Sequence, residues 1–223
     1  MTINSTRDNE LGLRTGANYT DEVLVGTPGY NSAKRVQVGT LVSGGAYNAD
    51  GIIWDDLQVN ISSVRLPASG SPTWQAYKGG QVLSFAAAAT NTIYFTAQLP
   101  HGYKEGSDLE FHIHLAYADG NAGNTAWTFT HSAAGINGTF PTETSVALVA
   151  AASPESADAH KVHDLATLSG AGLGISSFVL CSLARVGGDA TDTYASSAYL
   201  VGLDFHVQSD TLGSYQEYVK ARA

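Results

Sequence analysis

Residues 109–117 read Leu-Glu-Phe-His-Ile-His-Leu-Ala-Tyr, and this stretch predicts a β-strand. Successive side chains of a strand point to opposite faces of its sheet. His112 and His114 are therefore predicted to lie on one face, with their backbones about 7 Å apart. The Asp119-Gly120 pair that follows is typical of tight hairpin turns, so the strand is predicted to end in such a turn.

Further segments on both sides have the same strand character. Residues 54–64 place apolar side chains at Leu57, Val59 and Ile61 between polar ones, which is the pattern of a half-buried strand. Short runs rich in β-branched and aromatic residues, separated by glycine, proline and polar turns, predict the remaining strands. These runs span 81–85, 92–99, 125–130, 145–151, 160–165, 176–186 and 198–207.

The number and spacing of these strands indicate the fold class. The last two, 176–186 and 198–207, are predicted to form a hairpin with a wide connection, and residues 214–220 a closing strand or a short helix. The chain also has 24 glycines, which tolerate positive φ and weaken helix interiors. We therefore predict an all-β fold, a jelly-roll-like antiparallel β-sandwich with an extended N-terminal arm.

Residues 1–50 are predicted to be the extended N-terminal arm, and residues 51–223 the β-sandwich body. The first segment is polar and interrupted by glycine, so it buries little apolar surface by itself. We expect such a segment to gain order by lying along a neighbouring surface. The side chains predicted to make these assembly contacts are Val23, Val25, Val36, Val38 and Leu41.

Composition and charge narrow the function classes. The 223 residues include 20 acidic and 11 basic side chains, and the net charge of -9 repels nucleic acid phosphates, so nucleic acid is not an expected partner. There is no run of about 18 apolar residues and no signal-peptide core, so we expect a protein made in the cytoplasm, neither exported by a signal nor bound to a membrane. Cys181 lies in an apolar run, where a buried, inert thiol is expected.

The His112-x-His114 pair is the one group of residues in the sequence whose type and spacing suit metal binding. The sequence has no Gly-x-Ser-x-Gly motif and no phosphate-binding glycine loop, so no enzymatic activity is predicted. Imidazole is a common ligand of divalent transition metals, and His206, on a later strand, is an available third ligand. The favoured interpretation is a sheet-surface or subunit contact without a cofactor, and a divalent metal at His112 and His114 is the alternative.

Two resemblances bear on this pair. The spacing Gly106-x5-His112-x-His114-x4-Asp119 resembles the first metal-binding motif of the cupin family, itself a jelly roll, and implies a metalloenzyme. The chain departs from that family, because Asp119 stands where cupins have glutamate and His206 follows after a much longer gap. The His-x-His arrangement also resembles metal sites in trimeric phage fibres and spikes, where three copies around an axis supply six imidazoles.

Four segments resemble virion structural proteins of tailed bacteriophages. They are residues 54–57 (WDDL), 72–77 (PTWQAY), 98–108 (QLPHGYKEGSD) and 112–114 (HIH). The similarity covers residues 52–130 and, more loosely, the rest of the body. It implies that the chain is a component of a phage virion.

Among virion components, a capsid decoration or cement protein is favoured, because a jelly-roll body with an N-terminal arm suits clamping across neighbouring capsid subunits. The expected partners are copies of the chain itself, as a homotrimer, and the major capsid protein or other virion proteins. The first alternative is a trimeric tail fibre or spike subunit that binds a host glycan. The second alternative is a cupin-like metalloenzyme.

Overall fold

The computed structural model describes residues 22–25, 34–37, 52–152 and 157–220. Nearly all of the regular structure in these residues is β-strand. No helix among them has the length and apolar character needed to cross a membrane.

The chain divides into two compact units, and the first of them, Met1–Ile53, contains a pair of short strands. Strand β1 (Glu22–Val25) pairs antiparallel with β2 (Lys34–Gln37).

Three of the five predicted assembly residues belong to these strands. Val23 and Val25 are in β1 and Val36 is in β2, with Val23 and Val36 opposite each other in the register. Val38 and Leu41 lie outside the described residues. The role of these residues in assembly stays a prediction.

The second unit, Trp54–Ala223, is built from two sheets. In chain order, the strands described from residue 52 onward are β3 (Ile53–Val59), β4 (Thr73–Tyr77), β5 (Gly80–Phe85), β6 (Thr90–Gln98), β7 (Leu109–Tyr117), β8 (Asn124–Ala134), β9 (Thr144–Ala152), β10 (Lys161–Leu168), β11 (Phe178–Val186) and β12 (Ala198–Ser209). One sheet has the order β10-β7-β12-β5-β4, with β3 also paired to β12, and the other has the order β6-β11-β8-β9. Neighbours within both rows run antiparallel. The predicted jelly-roll-like antiparallel β-sandwich is confirmed.

Phenylalanine rings in mutual contact fill the space between the sheets. Phe111 and Phe205 come from the adjacent strands β7 and β12, and Phe95 and Phe129 come from β6 and β8 of the other sheet. The ring centroids of Phe111 and Phe129 are 4.1 Å apart, and all four rings are buried. Cys181 is buried in the same core, and burial raises the pKa of its thiol, as expected for an inert cysteine. Side chains that alternate with Phe111 along β7 therefore point to the outer face of the six-stranded sheet.

Arg185 of β11 is a fully buried cation whose five N–H donors all have acceptors. Its Nε and Nη2 donate to the carboxylate of Asp192 at 2.9 and 2.7 Å, and Nη2 also donates to the carbonyl of Tyr194 at 2.7 Å. Its Nη1 donates to the carbonyls of Phe85 and Ser196 at 3.0 and 2.8 Å. Because Phe85 belongs to β5 and the other acceptors precede β12, this guanidinium joins both sheets to the β11–β12 connection.

Most strand positions agree with the sequence-based prediction. The stretch at 109–117 matches β7 at both ends, and the stretch starting at residue 198 matches the start of β12. The other six runs each overlap one strand, namely β5, β6, β8, β9, β10 and β11. Alternating burial explains the agreement, because each of these strands turns one row of side chains toward the core.

Two predicted connections are wrong. Asp119-Gly120 does not close a hairpin, since β7 pairs with β10 and β12 whereas β8 belongs to the other sheet. The strands at 178–186 and 198–209 do not form a hairpin either, because β11 pairs with β6 and β8. Both connections cross from one sheet to the other, and turn chemistry alone does not distinguish a crossing from a hairpin.

The strand predicted over 54–64 is shorter than expected. It ends at Val59, and the side chain of Asn60 accepts a hydrogen bond from the backbone N–H of Ser62 at 2.9 Å. This contact caps a single 3₁₀ turn at Ile61–Ser63. A local side-chain acceptor therefore replaces the next backbone pair of the strand.

Two further segments differ from the prediction. Strand β4 has no sequence-based counterpart, because it lies at the end of its sheet and four of its five residues are exposed, which removes the alternation. Residues 214–220 form neither a strand nor a helix. Instead, the ammonium of Lys220 donates to the carbonyl of Gly102 at 3.1 Å and pairs with the carboxylate of Asp210.

Candidate functional site

The outer face of the six-stranded sheet carries a group of histidines and carboxylates. In the register of β7 with its neighbours, His112 lies opposite Asp164 of β10 on one side and Asp204 of β12 on the other. His114 and His206 lie two residues further along β7 and β12, so they share this face. The group exists because β7 lies between β10 and β12.

His112, Asp204 and His206 form what we call the His-Asp-His cluster. Each residue offers one potential ligand atom, and the three atoms lie within 4.8 Å of one another. The rings of His112 and His206 meet edge to face, with centroids 3.9 Å apart. Nε2 of His206 lies 3.9 Å from Oδ2 of Asp204 and 3.0 Å from Oδ1 of Asp56 on β3.

Two polar side chains of this cluster are almost completely buried. His112 is 6% exposed and Asp204 is 3% exposed. Nε2 of His112 pairs with Oδ1 of Asp164 at 3.1 Å. Among the described residues, Nδ1 of His112 and Oδ1 of Asp204 have no hydrogen-bond partner. Buried polar atoms are usually paired, so these two atoms mark the cluster as a place where a further group fits.

Burial lowers the pKa of His112 below the usual value for histidine, and the neighbouring His206 acts in the same direction. The carboxylates of Asp164, Asp204 and Glu110 oppose this shift. Desolvation is the largest of these effects, so the site favours the neutral imidazole of His112. Neutral imidazole has a free lone pair, which is the form that binds metals and accepts hydrogen bonds.

His114 contacts this cluster at its edge. Its Nε2 lies 3.4 Å from Oδ1 of Asp204 without making a hydrogen bond to it. Its Nδ1 is hydrogen-bonded to Nε2 of His160 at 2.8 Å, and the two rings are stacked with centroids 5.1 Å apart. His114 is therefore oriented by His160 and not by the cluster.

A groove of about 540 Å³ runs beside the cluster. It is lined by residues 58–61 at the end of β3, by residues 201–204 of β12, and by His114 and His160. Asp204 belongs to this lining, so the groove leads from the surface to the carboxylate of the cluster.

A second groove, of about 520 Å³, lies along the start of β3 and β7. Trp54, which is 58% exposed, forms part of its wall. The remaining wall is polar and includes Lys104, Asp108, Glu110 and Gln208. An exposed indole beside several hydrogen-bonding groups is an arrangement suited to an amphipathic ligand.

The outer face of the four-stranded sheet carries three exposed large apolar side chains. Tyr94 of β6 and Leu180 and Phe178 of β11 are exposed there, although β11 is an interior strand of the sheet. Tyr94 and Leu180 also line one shallow depression, together with Arg65. We call Tyr94, Phe178 and Leu180 the apolar face.

The chain matches no model of a known protein family. No curated protein sequence matches it either. Solved structures with a similar arrangement of strands include viral capsid proteins and carbohydrate-binding modules, at low TM-scores.

Three of the matched structures illustrate the range of identity and coverage. Infectious bursal disease virus of the Gx strain is 11% identical, with 90% of this chain and 40% of that chain covered and a TM-score of 0.34. The CBM22-1 xylan-binding domain from Paenibacillus barcinonensis is 18% identical, with 70% of this chain and 84% of that chain covered and a TM-score of 0.29. The isomalto-dextranase of Arthrobacter globiformis T6, complexed with panose, is 16% identical, with 70% of this chain covered and a TM-score of 0.34. This chain spans only 23% of that enzyme. Similarities of this size do not establish a shared activity.

The structure brings together only part of the ligand set proposed from sequence. His112 and His114 lie on one face, but the group with convergent ligand atoms contains His112, Asp204 and His206. Asp119, the last residue of the cupin-like motif, instead accepts a hydrogen bond from the hydroxyl of Tyr194 at 3.1 Å. Sequence reasoning missed Asp204, although its position two residues before His206 on a predicted strand places the two on one face.

Proposed function

We propose that this chain is a structural protein of a phage virion, and specifically a capsid decoration or cement protein. In this proposal a homotrimer of the β-sandwich body binds the capsid, and the N-terminal segment reaches over neighbouring capsid subunits. The chain acts through the surface that it buries and has no catalytic role.

The observation that carries this proposal is the apolar face of the four-stranded sheet. Tyr94, Phe178 and Leu180 expose large apolar side chains on this face. Phe178 and Leu180 belong to β11, which is paired on both sides, and Tyr94 belongs to the neighbouring β6. A few well-packed side chains near the centre of an interface, often aromatic, contribute most of its binding energy. The outer surface of a sandwich body therefore offers a site for a second copy of the same chain.

The sandwich itself suits a role in which many weak contacts act together. Its sheets are held by a continuous aromatic core and by the buried Arg185–Asp192 pair, so the body presents its surfaces in a fixed geometry. A second contact made by the N-terminal segment becomes intramolecular once the body is bound, which raises the overall affinity. A decoration protein built this way resists detachment without any single strong contact.

Replacing Leu180 with aspartate is expected to dissociate the trimer. An unpaired carboxylate at the centre of an apolar interface must be desolvated, so we expect association to weaken by about 30-fold or more. Light scattering after size exclusion should show a trimer for the unmodified protein and a monomer for Leu180→Asp.

The matched control is Val162→Asp. Val162 is 48% exposed, comparable to Leu180 at 42%, but it lies on β10 of the other sheet. This variant should remain trimeric. A trimeric Leu180→Asp protein, or equal dissociation of both variants, would count against the apolar face as the subunit contact.

A tail fibre or spike subunit that binds a host glycan is the second candidate, and the groove beside Trp54 favours it. Sugar rings pack on exposed aromatic side chains while their hydroxyls need polar partners, and this groove offers both. We expect Trp54→Ala to weaken binding on an array of bacterial glycans by about tenfold or more.

Trp74 provides the control for this prediction, because it is 43% exposed on β4 and does not line that groove. Trp74→Ala should leave glycan binding unchanged. If the unmodified protein binds no glycan, or if both tryptophan variants lose binding equally, the groove is not a glycan site.

A further inference from the structure

We propose that His112, Asp204 and His206 bind one divalent transition-metal ion of the zinc class within a single chain. The ligand set of two imidazoles and one carboxylate is a combination that zinc uses when it keeps a position open for water or another ligand. The ion would connect β7 to β12 on the outer face of the six-stranded sheet. This inference goes beyond the assembly function and does not depend on it.

Convergence of the three side chains supports a metal site. The three potential ligand atoms lie within 4.8 Å of one another. Zinc bonds of about 2.0–2.2 Å place two ligands of one tetrahedral ion about 3–4 Å apart. Small side-chain rotations therefore bring the three atoms to bonding distance, with no change in the backbone of β7 or β12.

Two buried polar atoms without a partner also support a metal site. Nδ1 of His112 and Oδ1 of Asp204 have no hydrogen-bond partner among the described residues, and both side chains are more than nine-tenths buried. Leaving a carboxylate oxygen and a ring nitrogen unpaired in the same place costs stability. A bound cation satisfies both atoms at once, because each of them offers it a lone pair.

Two further carboxylates, those of Asp164 and Asp56, lie beside the histidines of the cluster. A metal-binding histidine usually donates its other ring N–H to a carboxylate or carbonyl, which orients the ring. Oδ1 of Asp164 lies 3.1 Å from Nε2 of His112, which leaves Nδ1 of that ring for the metal. Asp56 pairs with His206 at 3.0 Å in the same manner.

Access is provided by the groove lined by Asp204. Asp204 is the residue of the cluster that lines this groove. The site also differs from an axial site built from His112 and His114 of three chains, because all of its ligands come from one chain. The two arrangements predict different stoichiometries, one ion per chain and one ion per three chains.

Zinc binding to the full-length protein should be measured by equilibrium dialysis with elemental analysis and by competition with a chromophoric chelator. We expect one zinc per chain. His206→Gln is expected to weaken binding by about 100-fold or more, and Asp164→Asn, which changes only the orienting carboxylate, by about 10–100-fold. His206 is well suited to substitution because its side chain is 38% exposed.

His101→Gln is the matched control, since it removes one imidazole from the loop after β6, where His101 contacts Ser214 at 2.6 Å. It should bind zinc as the unmodified protein does. Circular dichroism establishes that each variant is folded, and visible absorption of the cobalt-substituted protein reports nitrogen and oxygen coordination independently of affinity.

Three results would overturn the site. The first is that the unmodified protein binds no zinc at near-millimolar concentration. The second is that the His206→Gln variant binds zinc as tightly as the unmodified protein. The third is a stoichiometry of one zinc per three chains that is lost in His114→Gln. The last outcome would identify an axial site of the trimer. The first two results do not bear on the apolar face, which lies on the other sheet. The third would place the trimer contact on the six-stranded sheet and would therefore also contradict the apolar face as the subunit contact.

Discussion

Replacing Arg185 with methionine is expected to lower the free energy of unfolding by about 3–5 kcal/mol, because the buried carboxylate of Asp192 loses its counter-charge. Both side chains of this pair are fully buried, and their separation is 2.7 Å. The carbonyls of Phe85, Ser196 and Tyr194 lose their donor at the same time. Urea unfolding followed by circular dichroism and tryptophan fluorescence measures the change.

Lys78→Met is the matched control for this substitution. Lys78 forms an ion pair with Asp158 at the same distance of 2.7 Å, but both side chains are solvent-exposed. Exposed pairs contribute little, so we expect a change below about 1 kcal/mol. The double variant Arg185→Met with Asp192→Leu should recover part of the lost stability, since no buried charge remains. An Arg185→Met protein as stable as the Lys78→Met protein would show that the buried pair does not hold the sandwich together.

Removal of residues 1–45 is expected to abolish capsid binding while leaving the body folded. The second unit of the chain begins at Trp54 and contains both sheets and the whole described core, so the truncation spares every strand of the sandwich. If body and N-terminal segment bind as linked modules, loss of one contact lowers the overall affinity by about 100-fold or more. Cosedimentation with capsids that lack decoration measures the effect.

Two controls make this result interpretable. Thermal unfolding of the truncated protein should match that of the full chain, which excludes a folding defect. The Leu180→Asp variant retains residues 1–45, so its capsid binding separates the contribution of the trimer from that of the N-terminal segment. Stoichiometric capsid binding by the truncated protein would contradict the proposed clamp.

The candidate site shows where sequence reasoning reaches its limit. The spacing of His112 and His114 was enough to place both on one face, because alternation along a strand is a local property. Alternation along one strand does not predict which residues of other strands contact His112. Asp164 and Asp204 lie 52 and 92 residues further along the chain, and they meet His112 only because β7 pairs with both β10 and β12.

The sequence by itself determined the β class of this protein and the positions of most strands. Burial of alternate side chains leaves a period-two pattern that any short window of the chain contains, as residues 109–117 illustrate. Only the tertiary structure decided which strands are neighbours, that Asp119-Gly120 crosses between sheets, and that His206 meets His112 in place of His114. Strand pairing depends on contacts between segments far apart in sequence, and the packing of the whole core selects among pairings that look alike locally.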